Sequence, residues 1–218
     1  MNIISLGPFC MTKTCINNMQ FNSPTMPFDW MFSSLTFIKS VIKDNFKELL
    51  NKKNIHSNKP CWSTNKSYHS LYNNDILQSK NITTHLLSKN ELADYNNFHM
   101  WNHYNLLEEE QYEKYFKYIE RFRTILNSES IKIFFYIQYY NDSIEEIIDF
   151  NDYLSNNIIN YKFVCIHCKK SEEEKKFFCY YNKNNLYIYN LCINNYQDNI
   201  DLIDVDKIKN EINSIINA

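Results

Sequence analysis

The chain of 218 residues holds a single glycine, Gly7, and that scarcity constrains the fold more than any other feature. Glycine is the residue that enters positive φ without steric cost, so the chain has one cheap left-handed position and must build its other turns from Asn, Asp, Ser and Pro. The same scarcity excludes function classes. A G-x-G-x-x-G dinucleotide turn and a G-x-x-x-x-G-K-[ST] phosphate loop each need several glycines within a few residues, and a G-x-S-x-G nucleophile elbow needs two. Gly7 itself ends the apolar run Ile3-Ile4-Ser5-Leu6 and precedes Pro8-Phe9-Cys10. That order predicts a strand-to-helix turn presenting the Cys10 thiol at a helix amino terminus, where backbone amides favour a thiolate.

Hydrophobic residues make up 44% of the chain, enough for one substantial core, and the reading is a single domain over residues 1–218. The formal charge of −2 gives no global reason to bind nucleic acid or an anionic membrane. No basic segment precedes an apolar leader and no apolar run approaches the length of a membrane span, so a soluble, intracellular (cytoplasmic) protein is expected. Seven scattered cysteines, an odd number, fit reduced thiols better than a disulfide framework.

Apolar periodicity predicts a strand at residues 2–6 and a helix over 10–20, with Met11, Cys15 and Met19 forming its buried stripe. Cys10 lies about 140° round from Cys15, so the two thiols meet different surroundings. A rigid proline loop leads to Pro27-Phe28-Asp29-Trp30. A helix capped by Ser33 or Ser34 is expected to run to Leu50. Residues 51–97 read as an irregular insertion with one or two short elements. A helix from Glu108 to Leu126 follows, with Tyr112, Tyr115, Phe116, Ile119, Phe122 and Leu126 as its buried stripe. Strands at 131–137, 161–166 and 186–191 alternate with helices at 144–154 and 205–216, which argues for an α/β fold with a mainly parallel sheet flanked by helices.

Residue chemistry alone leaves Cys10 open to two readings, a nucleophile or a small buried hydrophobe. A nucleophilic thiol needs a base. His103, between Asn102 and Asn105 just ahead of a helix, is the preferred histidine, and His99 competes with it. His99 and His103 also have the i, i+4 spacing of a metal pair, but Met100 stands where a zinc protease carries Glu. Asp29, set between two aromatics, must either find a partner or rise in pKa; capping a turn is its plainer reading. Cys165-Ile166-His167-Cys168, with Cys179 and Cys192 downstream, invites a zinc reading. Strand alternation sends Cys165 and Cys168 to opposite faces, so buried thiols are the better account. No metal or other cofactor is expected.

Ser5-Leu6-Gly7-x-x-Cys10, then Pro27-Phe28-Asp29-Trp30, then a histidine segment before a helix containing Ile119-Glu120-Arg121-Phe122, resembles a poorly characterised family of bacteria and large DNA viruses. Its members are labelled "putative papain-like cysteine peptidase", and the resemblance runs from residue 3 to about residue 138. It implies Cys10 as nucleophile and a histidine base, best matched by His103. The combined expectation is a cysteine hydrolase acting at an amide, ester or thioester of a peptide or small molecule. Cys10, His103 and Asp29 form its catalytic group, and Gly7, Trp30, Asn102 and Asn105 contact the substrate. The alternatives are a sugar or acyl transferase using the same pocket and a non-enzymatic binding module.

Overall fold

The computed structural model describes residues 1–7, 9–57, 67–69, 100–101, 104–138, 143–170, 177–193 and 205–217. His99, Asn102, His103 and most of the 51–97 insertion lie outside them. In chain order the elements are β1 (Asn2–Ser5), α1 (Phe9–Asn18), β2 (Met31–Phe32), α2 (Leu35–Lys43), a 3₁₀ turn (Lys52–Asn54), β3 (Ile55–Ser57), β4 (Ser67–His69) and β5 (Met100–Trp101). Then follow α3 (Glu109–Leu126), β6 (Lys132–Gln138), α4 (Ile144–Asn157), β7 (Tyr161–Lys170), β8 (Phe177–Lys183), β9 (Leu186–Ile193) and α5 (Val205–Asn217).

The main sheet has the order β1-β6-β7-β9-β8, with β1, β6, β7 and β9 parallel and β8 antiparallel at one edge. The α/β class with a mainly parallel sheet is therefore as the sequence indicated. A parallel sheet is covered on both faces and its strands become apolar throughout; β6, Lys-Ile-Phe-Phe-Tyr-Ile-Gln, is buried at all seven positions. Alternation divides the strands between two clusters. Ile133, Phe135, Ile137, Val164 and Ile166 pack with Cys15 and Ile16 of α1, with Met19 just past its end, and with Ile208, Ile212 and Ile215 of α5. Phe134, Tyr136, Phe163, Cys165 and Ile188 pack on the other side with residues of α2, α3 and α4. Cys165 and Cys168 fall into opposite clusters, so this pair supplies no common metal site.

A smaller antiparallel sheet, β2-β5-β4-β3, draws two of its strands from the stretch expected to be an irregular insertion. Several boundaries differ from the sequence reading for physical reasons. Helix α2 stops at Lys43 rather than Leu50, because Asn45 and Phe46 turn left-handed at φ 54° and 62°. Positive φ is costly for an aromatic residue. Phe46 is nevertheless buried, its ring stacked 5.9 Å from Phe28 and edge-on to Phe122 at 5.6 Å, which offsets the strain. On α3 the buried stripe is Tyr115, Tyr118, Ile119 and Phe122, whereas Phe116, one position past Tyr115 and so 100° round the helix, is 40% exposed. Strand β8 escaped the sequence reading altogether. It is a mostly exposed edge strand, and it reaches β9 through Asn184-Asn185 at φ 53° and 63°, the left-handed pair that a type I′ hairpin requires.

Candidate active site

The carboxyl edge of the parallel sheet is where open α/β folds place ligands. The amino ends of α1, α2 and α4 meet it because each helix runs back from that edge. At this edge β1 passes into α1 through Gly7, which has φ +76° as its position in the sequence required. Three hydroxyls fix the turn. Thr12 Oγ1 donates to the Gly7 carbonyl at 2.6 Å and accepts from Ile137 N of β6 at 3.3 Å. Ser33 Oγ donates to the Leu6 carbonyl at 3.2 Å, and Gly7 N donates to Ser5 Oγ at 3.4 Å. A Cβ on Gly7 would stand 2.4 Å from Ser33 Oγ. Gly7 is therefore a buried turn whose amide and carbonyl are both engaged.

Cys10 follows as the second residue of α1, a half-buried reduced thiol. Cys15, one and a half turns later, is sealed in the core, and burial pushes its thiol up to about 12. The two thiols thus occupy the different surroundings that helical spacing implied. Cys10 sits in the first turn of α1, where backbone amides have no partner within the helix.

Asp29 is fully buried. Its Oδ2 accepts from Met26 N at 2.9 Å and faces Lys13 Nζ at 3.4 Å. Lys13 Nζ also donates to the Ser23 carbonyl, Ser23 Oγ and the Pro24 carbonyl at 2.6, 3.0 and 3.2 Å. The carboxyl accordingly does both things open to a buried acid. It takes a cationic partner and closes a turn, and burial still outweighs the Lys13 charge and raises its pKa to about 6. Its second oxygen, Oδ1, has no hydrogen-bond partner among the described residues, and the Ser5 hydroxyl is a further, lesser influence that lowers the carboxyl pKa.

Asp29 also acts on the ring cluster beside it. Burial first, and the Asp29 charge among lesser causes, push the phenols of Tyr104 and Tyr115 up. Tyr115 Oη donates to the Pro27 carbonyl at 3.1 Å, and Trp101 packs edge-on to Tyr115 at 5.8 Å. Trp101 pairs with Met31 across β5 and β2, two residues beyond Asp29. The described residues on either side of Asn102 and His103, namely Trp101 and Tyr104, therefore both belong to the surroundings of Asp29.

Of the other expected substrate contacts, Trp30 is half-buried in the same loop. Asn105 is engaged locally. Its N donates to Gln111 Oε1, its Nδ2 to Glu108 Oε1 at 2.9 Å, and its Oδ1 accepts from Leu107 N, so it organises the entry to α3. His56 is exposed on β3. Sequence reasoning missed Lys13, Thr12 and Ser33. Lys13 had a signal: it and Asp29 are the only charged side chains before Lys39, and a buried acid in that stretch has no other cation to find.

No curated protein and no solved structure matches the chain. A sequence model of one family, described as "putative papain-like cysteine peptidase", matches residues 1–171, a span that includes β1, the Gly7 turn, Cys10, Asp29 and most of the parallel sheet. With its thiol at the strand-to-helix turn and its buried acid in the next loop, the chain belongs to that family.

Proposed function

We propose that the protein is a cysteine hydrolase in which Cys10 attacks an amide, ester or thioester carbonyl. His103 takes the thiol proton, the thiolate forms a C–S bond to the carbonyl carbon, and first-turn amides of α1 hold the oxyanion. The imidazolium then protonates the leaving group. Water, deprotonated by the same histidine, releases the acid and restores the thiol. Asp29 is the group that orients the imidazole, through Oδ1, which has no hydrogen-bond partner among the described residues.

The observation that carries this reading is the pairing of a half-buried thiol in the first turn of α1 with a sealed carboxylate held by Lys13 of the same helix. Helix α1 thereby holds the thiol and the cation that fixes the acid at a separation of three residues, close to one helical turn. The covalent backbone adds support for His103, since it adjoins Tyr104, which feels the Asp29 charge. The test is covalent trapping. Incubation with p-nitrophenyl acetate and peptide-level mass spectrometry should place an acetyl group on Cys10, with the yield at short times greatly reduced in His103→Ala. Acetylation absent from Cys10, or undiminished in His103→Ala, contradicts the mechanism.

A further inference from the structure

Helix α1 turns one stripe toward the sheet: Thr12, Cys15, Ile16 and, just past its end, Met19, at the i, i+3, i+4, i+7 spacing of a buried helical face. All four are fully buried. Three of them are apolar and pack with residues of β1, β6 and β7. The fourth, Thr12, carries a hydroxyl where this pattern calls for an aliphatic side chain, and valine has the same branched shape without it.

The broken end of the β1–β6 ladder accounts for that hydroxyl. Leu6 N donates to Phe135 O at 3.0 Å, so a ladder that ran on would next carry a bond from Ile137 N to Leu6 O. Gly7 turns the chain off the sheet at that step. Leu6 O accepts from Ser33 Oγ instead, at 3.2 Å, and Ile137 N donates to Thr12 Oγ1 at 3.3 Å. The Thr12 proton goes to the Gly7 carbonyl at 2.6 Å. One hydroxyl therefore uses its donor and one of its acceptor sites to tie the turn, α1 and β6 together. Cys10 stands two residues before Thr12, about 3 Å back along the axis and about 200° round the helix. A helix gripped at Thr12 cannot roll or slide on the sheet without breaking one of these bonds, so the grip keeps the thiol on the side turned away from β6.

We infer that Thr12 is the positioning residue of the Cys10 thiol: its hydroxyl replaces the ladder bond that the turn gives up, and so sets the rotation and height of the first turn of α1 at the sheet edge. This rests on the reading of Cys10 as nucleophile and deepens it by a residue that acts through the helix backbone and not on the substrate. Backbone amides stabilise a thiolate or an oxyanion only along the direction in which their N–H bonds point. That direction holds as long as the turn does.

The test is the pH dependence of Cys10 alkylation by iodoacetamide, read at the Cys10 peptide by mass spectrometry, in the whole chain carrying Thr12→Val, Thr12→Ser or Ile212→Val. Thr12→Val keeps the shape and removes the hydroxyl. Its midpoint should lie above that of the unsubstituted protein by about one pH unit or more, the least by which a helix-terminal setting lowers a thiol. Thr12→Ser restores a donor and an acceptor and should bring the midpoint most of the way back. Ile212→Val removes a buried methyl group from α5 on the same face of the sheet and should leave the midpoint in place, which separates lost position from lost stability. If Thr12→Val does not fold, Thr12→Ala takes its place. A midpoint unchanged without the hydroxyl, or raised equally in Thr12→Ser or in Ile212→Val, overturns the inference. A midpoint already at the ordinary thiol value in the unsubstituted protein removes the nucleophile itself, so the two failures are told apart.

Discussion

Lys13 Nζ lies 3.4 Å from Asp29 Oδ2, and neither side chain is open to solvent. The pair joins α1, which carries Cys10, to the loop that carries the acid. Removing one partner of a buried ion pair leaves an uncompensated charge, at about 3–5 kcal/mol. Lys13→Met is expected to destabilise the protein by that order in urea unfolding at neutral pH. Asp29→Asn should cost less, since an amide oxygen can still accept from Met26 N and Lys13 keeps its three oxygens at Ser23 and Pro24.

Asp29 also makes stability depend on pH. Its folded pKa, about 6, lies above the ordinary 3.8. Between these values the folded state binds more protons than the unfolded, so stability falls as pH rises from about 4 to about 6 and then levels. The fall attributable to this group is about 3 kcal/mol at most. Asp29→Asn should flatten that segment of the profile. In Lys13→Met the decline should extend to higher pH, because the cation that lowers the Asp29 pKa is gone, and the cost of the substitution should be smaller at pH 5 than at pH 8.

Gly7→Ala forces an L-residue to φ +76° and sets its Cβ 2.4 Å from Ser33 Oγ. The left-handed conformation costs about 1–2 kcal/mol and the contact adds to it. Adding Ser33→Ala should recover the contact part and leave the backbone part, giving a double-mutant cycle with a favourable coupling. Additive losses would mean that Ser33 yields freely.

Thiol labelling should separate the two cysteines of α1. Brief alkylation of the native protein, mapped by peptide mass spectrometry, is expected to modify Cys10 and spare Cys15, whose thiol is buried and shifted up to about 12. Cys179 is exposed and serves as the internal reference for an ordinary accessible thiol. Labelling of Cys15 at a rate near that of Cys179 would contradict the packing of α1.

Much of this architecture is legible in the residues. The parallel sheet follows from strands that alternate with helices along the chain, and the Gly7 turn from the single glycine. Strand β8 was not legible because an exposed edge strand has no buried face to impose alternation; its signal was the turn pair Asn184-Asn185. Ser33 and Ser34 look alike in sequence, yet Ser34 caps α2 by accepting from Phe37 N while Ser33 clamps the Leu6 carbonyl.

The central claim is an activated thiol at Cys10, and the pH dependence of its alkylation tests it most directly. Followed site by site with peptide mass spectrometry, the rate of Cys10 modification by iodoacetamide should follow a pKa well below the unperturbed value of about 8.5, and His103→Ala should move that midpoint upward. A rate that tracks the unperturbed value in both proteins would contradict the account.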